Sequence, residues 1–258
     1  MLTAVAVEQG NVVTEGLNAW FDFGNTQCYN PTQGTGSITA GTLFNNLAPG
    51  QSAISGTING AVNWSTAFGG CMNLTNANTS TLQYTAGLSA SFTTQVIVTP
   101  GTDASPNNNW VADKGGWPGF RPATNGFVWA QANGGTQTGN FLIAVLWAGA
   151  SAATLPSNTA QPLNGWDIYT RFPSVYTFAT NGTNSHNTYT NNILKATDTT
   201  TRTRGNSAVG TIYLNFDPAV GDRHGIGRIV AYLHYNRQLS DAEIYQNVQF
   251  YLNRVGTR

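Results

Sequence analysis

Charged side chains are scarce in this sequence. Lysine and arginine number 11, aspartate and glutamate number 11, and together they make up 9% of the 258 residues, so the formal net charge is zero. Proteins that bind nucleic acid usually carry clustered positive charge that neutralises phosphates, and we expect no nucleic-acid partner. Only three glutamates and two lysines occur. Because long amphipathic helices take much of their polar face from these residues, a helix-rich fold is excluded.

Cysteine and long hydrophobic runs are also scarce. The two cysteines, Cys28 and Cys71, are too few for a disulfide scaffold and do not have the spacing of a metal knuckle. No apolar run approaches the roughly 18 residues that cross a membrane, and residues 1–10 lack the pattern of a signal peptide. We therefore expect no membrane partner and two free thiols, with a Cys28–Cys71 bridge as the alternative.

Uncharged residues supply the polarity instead, with 35 Thr and 29 Asn in the chain. Thr favours strands and Asn favours turns, while 40% hydrophobic residues are enough to build a core. Short apolar or alternating runs predict strands at residues 17–23, 95–99, 126–131, 141–147, 166–170, 175–180, 211–216 and 226–235. Polar segments rich in glycine predict loops at residues 30–41, 107–119, 134–139, 148–161 and 197–206. The pattern favours one β-sandwich or barrel domain over residues 15–258, preceded by an N-terminal arm over residues 1–14.

One helix is predicted at the C-terminus. Ser240 and Glu243 have the spacing of a capping box, in which each side chain bonds the backbone amide of the other. Leu239 before the cap and Ile244 after it can form a hydrophobic staple, and Gly256 can end the helix in a left-handed conformation. The apolar residues of the segment fall on one helix face, and they are Ile244, Val248, Tyr251 and Leu252.

Three segments of the chain resemble laminin-G-like, concanavalin-A-like jelly rolls. Residues 16–25 look like the first strand of that family, and residues 91–100 resemble its central strand, although Ile97 stands where tryptophan is usual. Residues 227–247 match its closing strand and capped helix. The matching positions there are Gly227, Ile229, Tyr235, Arg237, Leu239, Ser240, Glu243 and Ile244, followed by Gln246 and Asn247. The resemblance implies an all-β fold: a two-sheet antiparallel jelly-roll sandwich with one short C-terminal helix.

This architecture serves lectins, glycosidases, adhesion modules and phage virion proteins. The pattern Y-N-R-x-L-S-x-x-E-I-x-Q-N near the C-terminus is similar to stretches of phage head and tail proteins. The first hypothesis is therefore a non-enzymatic virion structural protein (a capsid decoration, head fibre or tail component) that contacts other virion proteins or sister subunits as a homo-oligomer. The alternative is a lectin-like module, extracellular or at the cell surface, that binds host or cell-surface glycans. A third hypothesis is an unrecognised polysaccharide-acting enzyme.

The sequence contains no set of residues typical of catalysis. Glycoside hydrolysis requires two carboxylates about 5 to 9 Å apart, and no strand carries a run such as E-x-D-x-E. Glu8 and Glu15 precede the first strand, and Glu243 belongs to the helix cap. The three histidines are scattered, and no G-x-S-x-G segment occurs. We therefore expect a protein that is not an enzyme.

We expect no cofactor, but the resemblance allows a calcium site, because laminin-G-like domains often hold this ion with loop oxygens. The candidate ligands are Asp22, Asp217 and Asp222, with Asn25 as a helper. The alternative is that Asp22 caps a turn through its own backbone and that Asp217 starts another turn.

The predicted loop over residues 107–122 combines large aromatic residues with Asn and Gly. A sugar ring packs on aromatic faces and bonds to amides, and the same residue types anchor protein interfaces. A third interpretation is that the aromatic residues cover the edge of the sandwich. The candidate residues of a ligand or interface loop are Trp110, Trp117, Phe120 and Arg121.

Overall fold

The structure is a computed structural model that describes residues 11–29, 36–60, 62–74, 81–99, 116–120, 127–133, 140–148, 151–154, 174–199, 207–213 and 227–256. Within these residues the strands in chain order are β1 (Leu17–Asp22), β2 (Gly36–Ile38), β3 (Leu43–Asn45), β4 (Ser55–Asn59), β5 (Val62–Ser65), β6 (Cys71–Leu74), β7 (Thr81–Leu88), β8 (Phe92–Thr99), β9 (Gly116–Phe120), β10 (Phe127–Asn133), β11 (Asn140–Ala148), β12 (Ser151–Thr154), β13 (Ser174–Thr180), β14 (His186–Thr190), β15 (Ile193–Asp198), β16 (Ser207–Tyr213) and β17 (Gly227–Tyr235). Among the described residues, a short 3-10 helix spans Ala67–Gly69, and one α-helix, α1, spans Asp241–Val255.

The strands form two antiparallel sheets. The first has the order β15-β14-β13-β8-β17-β6-β5-β2, and β1 also pairs with β17. The second has the order β12-β11-β10-β9-β16-β7-β4-β3. Strands β1 and β6 share one edge of β17, since β1 pairs with its residues 231–235 and β6 with its residues 227–229. The predicted two-sheet antiparallel sandwich with a C-terminal helix is confirmed.

The central strands of the first sheet are buried on both faces. Because successive side chains of a strand point to opposite faces, β8 sends Val96 into the core between the sheets and Ile97 into a second core beneath α1. In β17 the register shifts between Ile229 and Ala231. This β-bulge lets Val230 and Ala231, although adjacent in sequence, both join the core beneath the helix.

Helix α1 begins with the predicted capping box. The Ser240 side chain accepts a hydrogen bond from the Glu243 amide, and the Glu243 carboxylate accepts one from the Ser240 amide at 2.8 Å. Gly256 ends the helix with a φ of 78°, and its amide bonds the Leu252 carbonyl. The buried helix residues form the predicted stripe with two additions, Asn247 and Val255: Ile244, Asn247, Val248, Tyr251, Leu252 and Val255.

Asn247 fixes the helix to the sheet through a buried polar network. Its amide group donates to the Gln95 side-chain oxygen at 2.6 Å and to the Tyr235 hydroxyl at 2.8 Å. Its own oxygen accepts from the Val13 amide at 2.8 Å. The Gln95 amide group in turn donates to the Thr177 hydroxyl. Each of these contacts satisfies a buried polar group that would otherwise be costly to desolvate. The bond from Val13 also attaches residues 11–14 of the predicted arm to the helix.

Several predicted loops prove to contain strands, which corrects the sequence analysis. β2 lies within the predicted loop 30–41 and β12 within 148–161, while β9 overlaps 107–119 and β15 overlaps 197–206. These strands are short or rich in Gly, Ser and Thr, so their sequences lack an apolar alternation, and hydrogen bonds to neighbouring strands of the sheet stabilise them. The predicted strand 166–170 lies outside the described residues.

Candidate functional site

The sandwich has two ends, and the helix marks both of them. α1 begins after Ser240 at one end, and Arg254 in its last turn forms an ion pair with Asp22 at the other. We call these the Ser240 end and the Asp22 end. β1 and β8 run toward the Asp22 end, whereas β13 and β17 start from it, because each of the two pairs antiparallel with β8.

Two hydrogen bonds align the second sheet with these ends. The Asn18 amide group, near the start of β1, donates to the Gly87 carbonyl near the end of β7 at 3.3 Å. The Tyr84 hydroxyl of β7 donates to the Tyr232 hydroxyl of β17 at 3.1 Å. β7 therefore begins at the Asp22 end. Since β16 is antiparallel to β7 and β9 is antiparallel to β16, β16 ends and β9 begins at this same end.

Four strand ends at the Asp22 end flank predicted functional segments in the sequence. β8 ends and β9 begins on either side of residues 100–115, which contain Trp110, and β16 ends and β17 begins on either side of residues 214–226, which contain Asp217 and Asp222. Arg121 follows β9 in the sequence. The predicted site residues that lie outside the described residues are Trp110, Arg121, Asp217 and Asp222.

Phe120 is the last residue of β9, which is a strand between two others and not part of a loop. It is directly opposite Ile212 of β16, which is directly opposite Tyr84 of β7. Directly opposite positions share one face of a sheet. Tyr84 is 2% exposed and its ring packs on Phe21 between the sheets. Position 120 therefore belongs to the inner face of the sandwich.

Trp117 lies three residues before Phe120 in the same strand, β9. It is opposite Trp129 of β10, and a register shift separates this pair from the Phe120–Phe127 pair. Trp129 lies two residues after Phe127, on the same face of a regular strand. Position 117 thus falls on the inner face as well. All three interpretations of the aromatic segment stay predictions.

Asp22 is 1% exposed, and its carboxylate is already engaged. One oxygen accepts from the Gly24 amide at 3.0 Å, and the other forms the ion pair with Arg254 and lies 3.4 Å from the Tyr251 hydroxyl. The Trp20 indole donates to the same Tyr251 hydroxyl at 2.7 Å. The arrangement matches the predicted alternative, in which Asp22 caps a turn, and Arg254 provides the positive charge that balances the buried carboxylate.

A calcium ion at Asp22 would have to displace Arg254. Among the described residues, no group of three or more His, Cys, Asp or Glu side chains is placed to hold a metal ion. The calcium site over Asp22, Asp217 and Asp222 therefore stays a prediction, since two of its three ligands are not described.

A tight turn beside Asp22 was not anticipated from the sequence. Phe68 has a φ of 55°, a left-handed conformation that costs a residue with a side chain about 1–3 kcal/mol. Gly69 and Gly70 follow, also with positive φ. Gly70 packs so closely on the turn that contains Gly24 that a Cβ at position 70 would lie 2.5 Å from the Gly24 Cα. This packing of two turns at the Asp22 end offsets the strain at Phe68.

The Phe68 ring supports an arginine of β17. The Arg228 guanidinium carbon lies 5.6 Å from the centre of that ring, and the Arg228 Nε donates to the Asn73 side-chain oxygen of β6 at 2.9 Å. All three side chains are partly exposed. The only signal in the sequence was the Gly69-Gly70 pair after an aromatic residue, which indicates a turn without indicating what the turn contacts.

Three of the described carboxylates, those of Asp22, Asp241 and Glu243, make structural contacts. Glu243 forms a bidentate pair with Arg237, with contacts of 2.6 and 3.0 Å. This pair and the helix cap lower the Glu243 pKa from 4.5 to about 2. Asp241 accepts a 2.7 Å hydrogen bond from the Tyr189 hydroxyl. With Asp22 held by Arg254, these carboxylates do not form the pair that glycoside hydrolysis requires.

Both cysteines are free thiols buried in the structure, as the sequence predicted. Burial raises the pKa of Cys28 to about 12 and also raises the pKa of Cys71. Because the thiolate is the nucleophilic form, neither is suited to covalent catalysis. Among the described residues, no helix has the length and hydrophobicity needed to cross a membrane.

Comparison with known proteins gives structural matches and no sequence match. No family model matches the chain, and no curated protein does. Domain 4 of a GH43 extracellular arabinanase from Geobacillus stearothermophilus, solved in complex with arabinotriose, matches with a TM-score of 0.55 and 14% identity. That match covers 90% of this chain and 98% of the arabinanase domain.

Botulinum neurotoxin binding domains match as well. The binding domain of neurotoxin DC in complex with rat synaptotagmin II gives a TM-score of 0.61 and 15% identity, over 95% of this chain and 52% of that one. A structure of neurotoxin type C, whose cell entry depends on interaction with two ganglioside molecules, gives a TM-score of 0.60 and 14% identity, over 95% and 52%. The chain thus spans about half the length of these neurotoxin chains.

At these identities the matches establish the sandwich fold alone. Nothing in the comparisons supports a virion role, virion partners or a homo-oligomer.

Proposed function

We propose that this chain is a carbohydrate-binding domain that catalyses no reaction itself. The observation that carries the proposal is the match to the arabinanase domain solved with arabinotriose, which extends over 98% of that domain. Because the match covers nearly the whole arabinanase domain, the two sandwiches offer the same surfaces for loops that bind a ligand.

The chemistry of the described residues agrees with binding rather than catalysis. The buried carboxylate Asp22 is neutralised by Arg254, and Glu243 is held by Arg237 and the helix cap. A catalytic acid needs a raised pKa near the working pH, whereas the pKa of Glu243 is lowered.

The Asp22 end is the surface proposed to bind the glycan. The strands flanking residues 100–115 and 214–226 meet there, as do Phe68, Asn73 and Arg228. Loops displayed on a rigid sheet are where binding residues concentrate. This end therefore combines aromatic, amide and guanidinium groups, the types that recognise sugar faces and hydroxyls.

The proposal is tested by screening the full chain on a glycan array that includes arabino-oligosaccharides, ganglioside oligosaccharides and uronic-acid oligosaccharides, followed by titration calorimetry with the best ligand. We expect saturable binding to at least one saccharide. Binding to no glycan, by a chain that melts cooperatively, would refute the proposed function.

A pair of tryptophan variants tests the location. Trp110→Ala is expected to weaken glycan affinity about thirtyfold with little change in melting temperature, because loss of an aromatic anchor costs about 2 kcal/mol. Trp117→Ala is the matched control from the same predicted segment, and its position on the inner face predicts a lower melting temperature. The opposite pattern would place the glycan elsewhere.

A further inference from the structure

Arg228 lies at the start of β17, on the outer face of the first sheet at the Asp22 end. It is opposite Thr99 of β8 and Asn73 of β6. The next residue, Ile229, belongs to the core between the sheets, so Arg228 is on the other face. There it lies beside the 3-10 turn that carries Phe68.

Two contacts fix the plane of the Arg228 guanidinium. Asn73 holds the Nε atom with a 2.9 Å hydrogen bond, and the Phe68 ring lies under the guanidinium carbon at 5.6 Å. Phe68 is itself held in place, because its turn packs backbone to backbone against Gly24. The hydrogen bond to Asn73 uses only the Nε atom, so the two terminal nitrogens, a fork of hydrogen-bond donors, take no part in that bond.

The positive charge of Arg228 is not balanced within the described part of the chain. The ion pairs found there join Arg237 to Glu243 and Arg254 to Asp22. Asp22, the buried carboxylate of this end, is committed to Arg254 and the Gly24 amide. Arg228 is partly exposed, with Asn73 as its hydrogen-bond partner.

We infer that Arg228, oriented by Asn73 and Phe68, binds the carboxylate of an acidic saccharide. This inference rests on the proposed carbohydrate-binding function and adds the class of sugar. A fixed guanidinium fork matches the two oxygens of a carboxylate. The Asn73 amide group beside the fork can donate to a ring hydroxyl, and the exposed edge of Phe68 offers an apolar contact for the sugar ring.

The inference is tested by titrating the full chain with trigalacturonate and with its methyl ester, which removes the charge and keeps the sugar ring. We expect the acid to bind about tenfold more tightly or better, since a charge-assisted bidentate contact is lost in the ester. The preference is expected to shrink as salt concentration rises. A polyglutamate peptide of similar charge is titrated in parallel.

Variants assign the effect to Arg228. Arg228→Gln is expected to remove the preference for the acid, and Arg228→Lys to keep only part of it, because an ammonium lacks the planar fork. Phe68→Gly suits the left-handed backbone and is expected to weaken the preference by freeing the guanidinium. Lys195→Gln, on strand β15 at the edge of the first sheet, removes one positive charge elsewhere and is expected to leave the preference unchanged.

The outcomes separate this inference from the proposed function. If the chain binds glycans but treats acid and ester alike, or if Arg228→Gln keeps the preference while folding normally, the acidic-sugar inference is wrong and carbohydrate binding stands. If polyglutamate binds and trigalacturonate does not, the Arg228 site takes an acidic peptide and the inference is also overturned. If no glycan binds, the proposed function fails and the inference fails with it.

Discussion

Replacing Glu243 with glutamine is expected to destabilise the protein, because both oxygens of the Glu243 carboxylate are engaged in contacts. Oε2 accepts hydrogen bonds from the Ser240 amide at 2.8 Å and the Ser240 hydroxyl at 2.9 Å, and both oxygens contact Arg237, at 2.6 and 3.0 Å. Glutamine keeps one oxygen for the Ser240 amide. It loses the charge and the second oxygen that complete the bidentate pair.

The expected loss in the free energy of unfolding is about 1–2 kcal/mol, the sum of part of a helix cap and a partly exposed ion pair. The Arg237 and Glu243 side chains are each 27% exposed, so solvent screens the pair and keeps its contribution small. For a domain of this size the loss corresponds to a fall in melting temperature of roughly 3–6 °C.

The effect should depend on pH in a defined direction. Arg237 first, and the cap with it, lower the Glu243 pKa from 4.5 to about 2 in the folded protein. A carboxyl with a lowered folded pKa stabilises the protein above its unfolded pKa, and this stabilisation is lost as the pH falls through the folded value. The difference between wild type and Glu243→Gln is therefore expected to be constant above about pH 5 and to disappear toward about pH 2.

The assay is a series of thermal melts by circular dichroism across this pH range. Glu15→Gln is the matched control, because Glu15 is exposed and the same charge is removed. We expect the control to follow the wild type. A Glu243→Gln protein as stable as the wild type at neutral pH, or a difference that persists at pH 2, would refute the assigned hydrogen bonds.

Three further predictions follow from the buried groups. Arg254→Met leaves the Asp22 carboxylate, 1% exposed, without its charge partner. The expected loss in the free energy of unfolding is about 3 kcal/mol, and an unchanged urea midpoint would contradict the ion pair. Added calcium is expected not to restore this variant, and a calcium-dependent rise in its melting temperature would instead revive the predicted metal site. Cys28 and Cys71 are 1% and 0% exposed free thiols, so Ellman's reagent should react with two thiols in denaturant without reductant and with neither in the native protein.

The sequence was sufficient where structure is local. The Ser240–Glu243 cap and the helix stripe involve residues a few positions apart, and the apolar strands β1, β8, β11, β13 and β17 carry their own pattern. Strands such as β14, with the sequence HNTYT, are polar along their length. They form because β13 and β15 pair with both of their edges, and no local pattern reports that.

The candidate site was less accessible to sequence reasoning for the same physical reason. Asp22 and Arg254 are 232 residues apart in the chain, and Arg228 meets Asn73 across 155 residues. These contacts come from the antiparallel order of β17 and its neighbours. Composition identified aromatic, amide and arginine residues as binding chemistry, but only the sheet register separates Trp117 and Phe120, on the inner face, from Arg228 on the outer one.

The most direct test of the carbohydrate-binding account is hydrogen–deuterium exchange of the full chain with and without the saccharide that binds best. The account predicts slower exchange confined to the Asp22 end, in peptides covering residues 66–74 and the start of β17, with the Ser240 end unchanged. Slower exchange at the Ser240 end instead, or no change with saccharide present at saturating concentration, would contradict it.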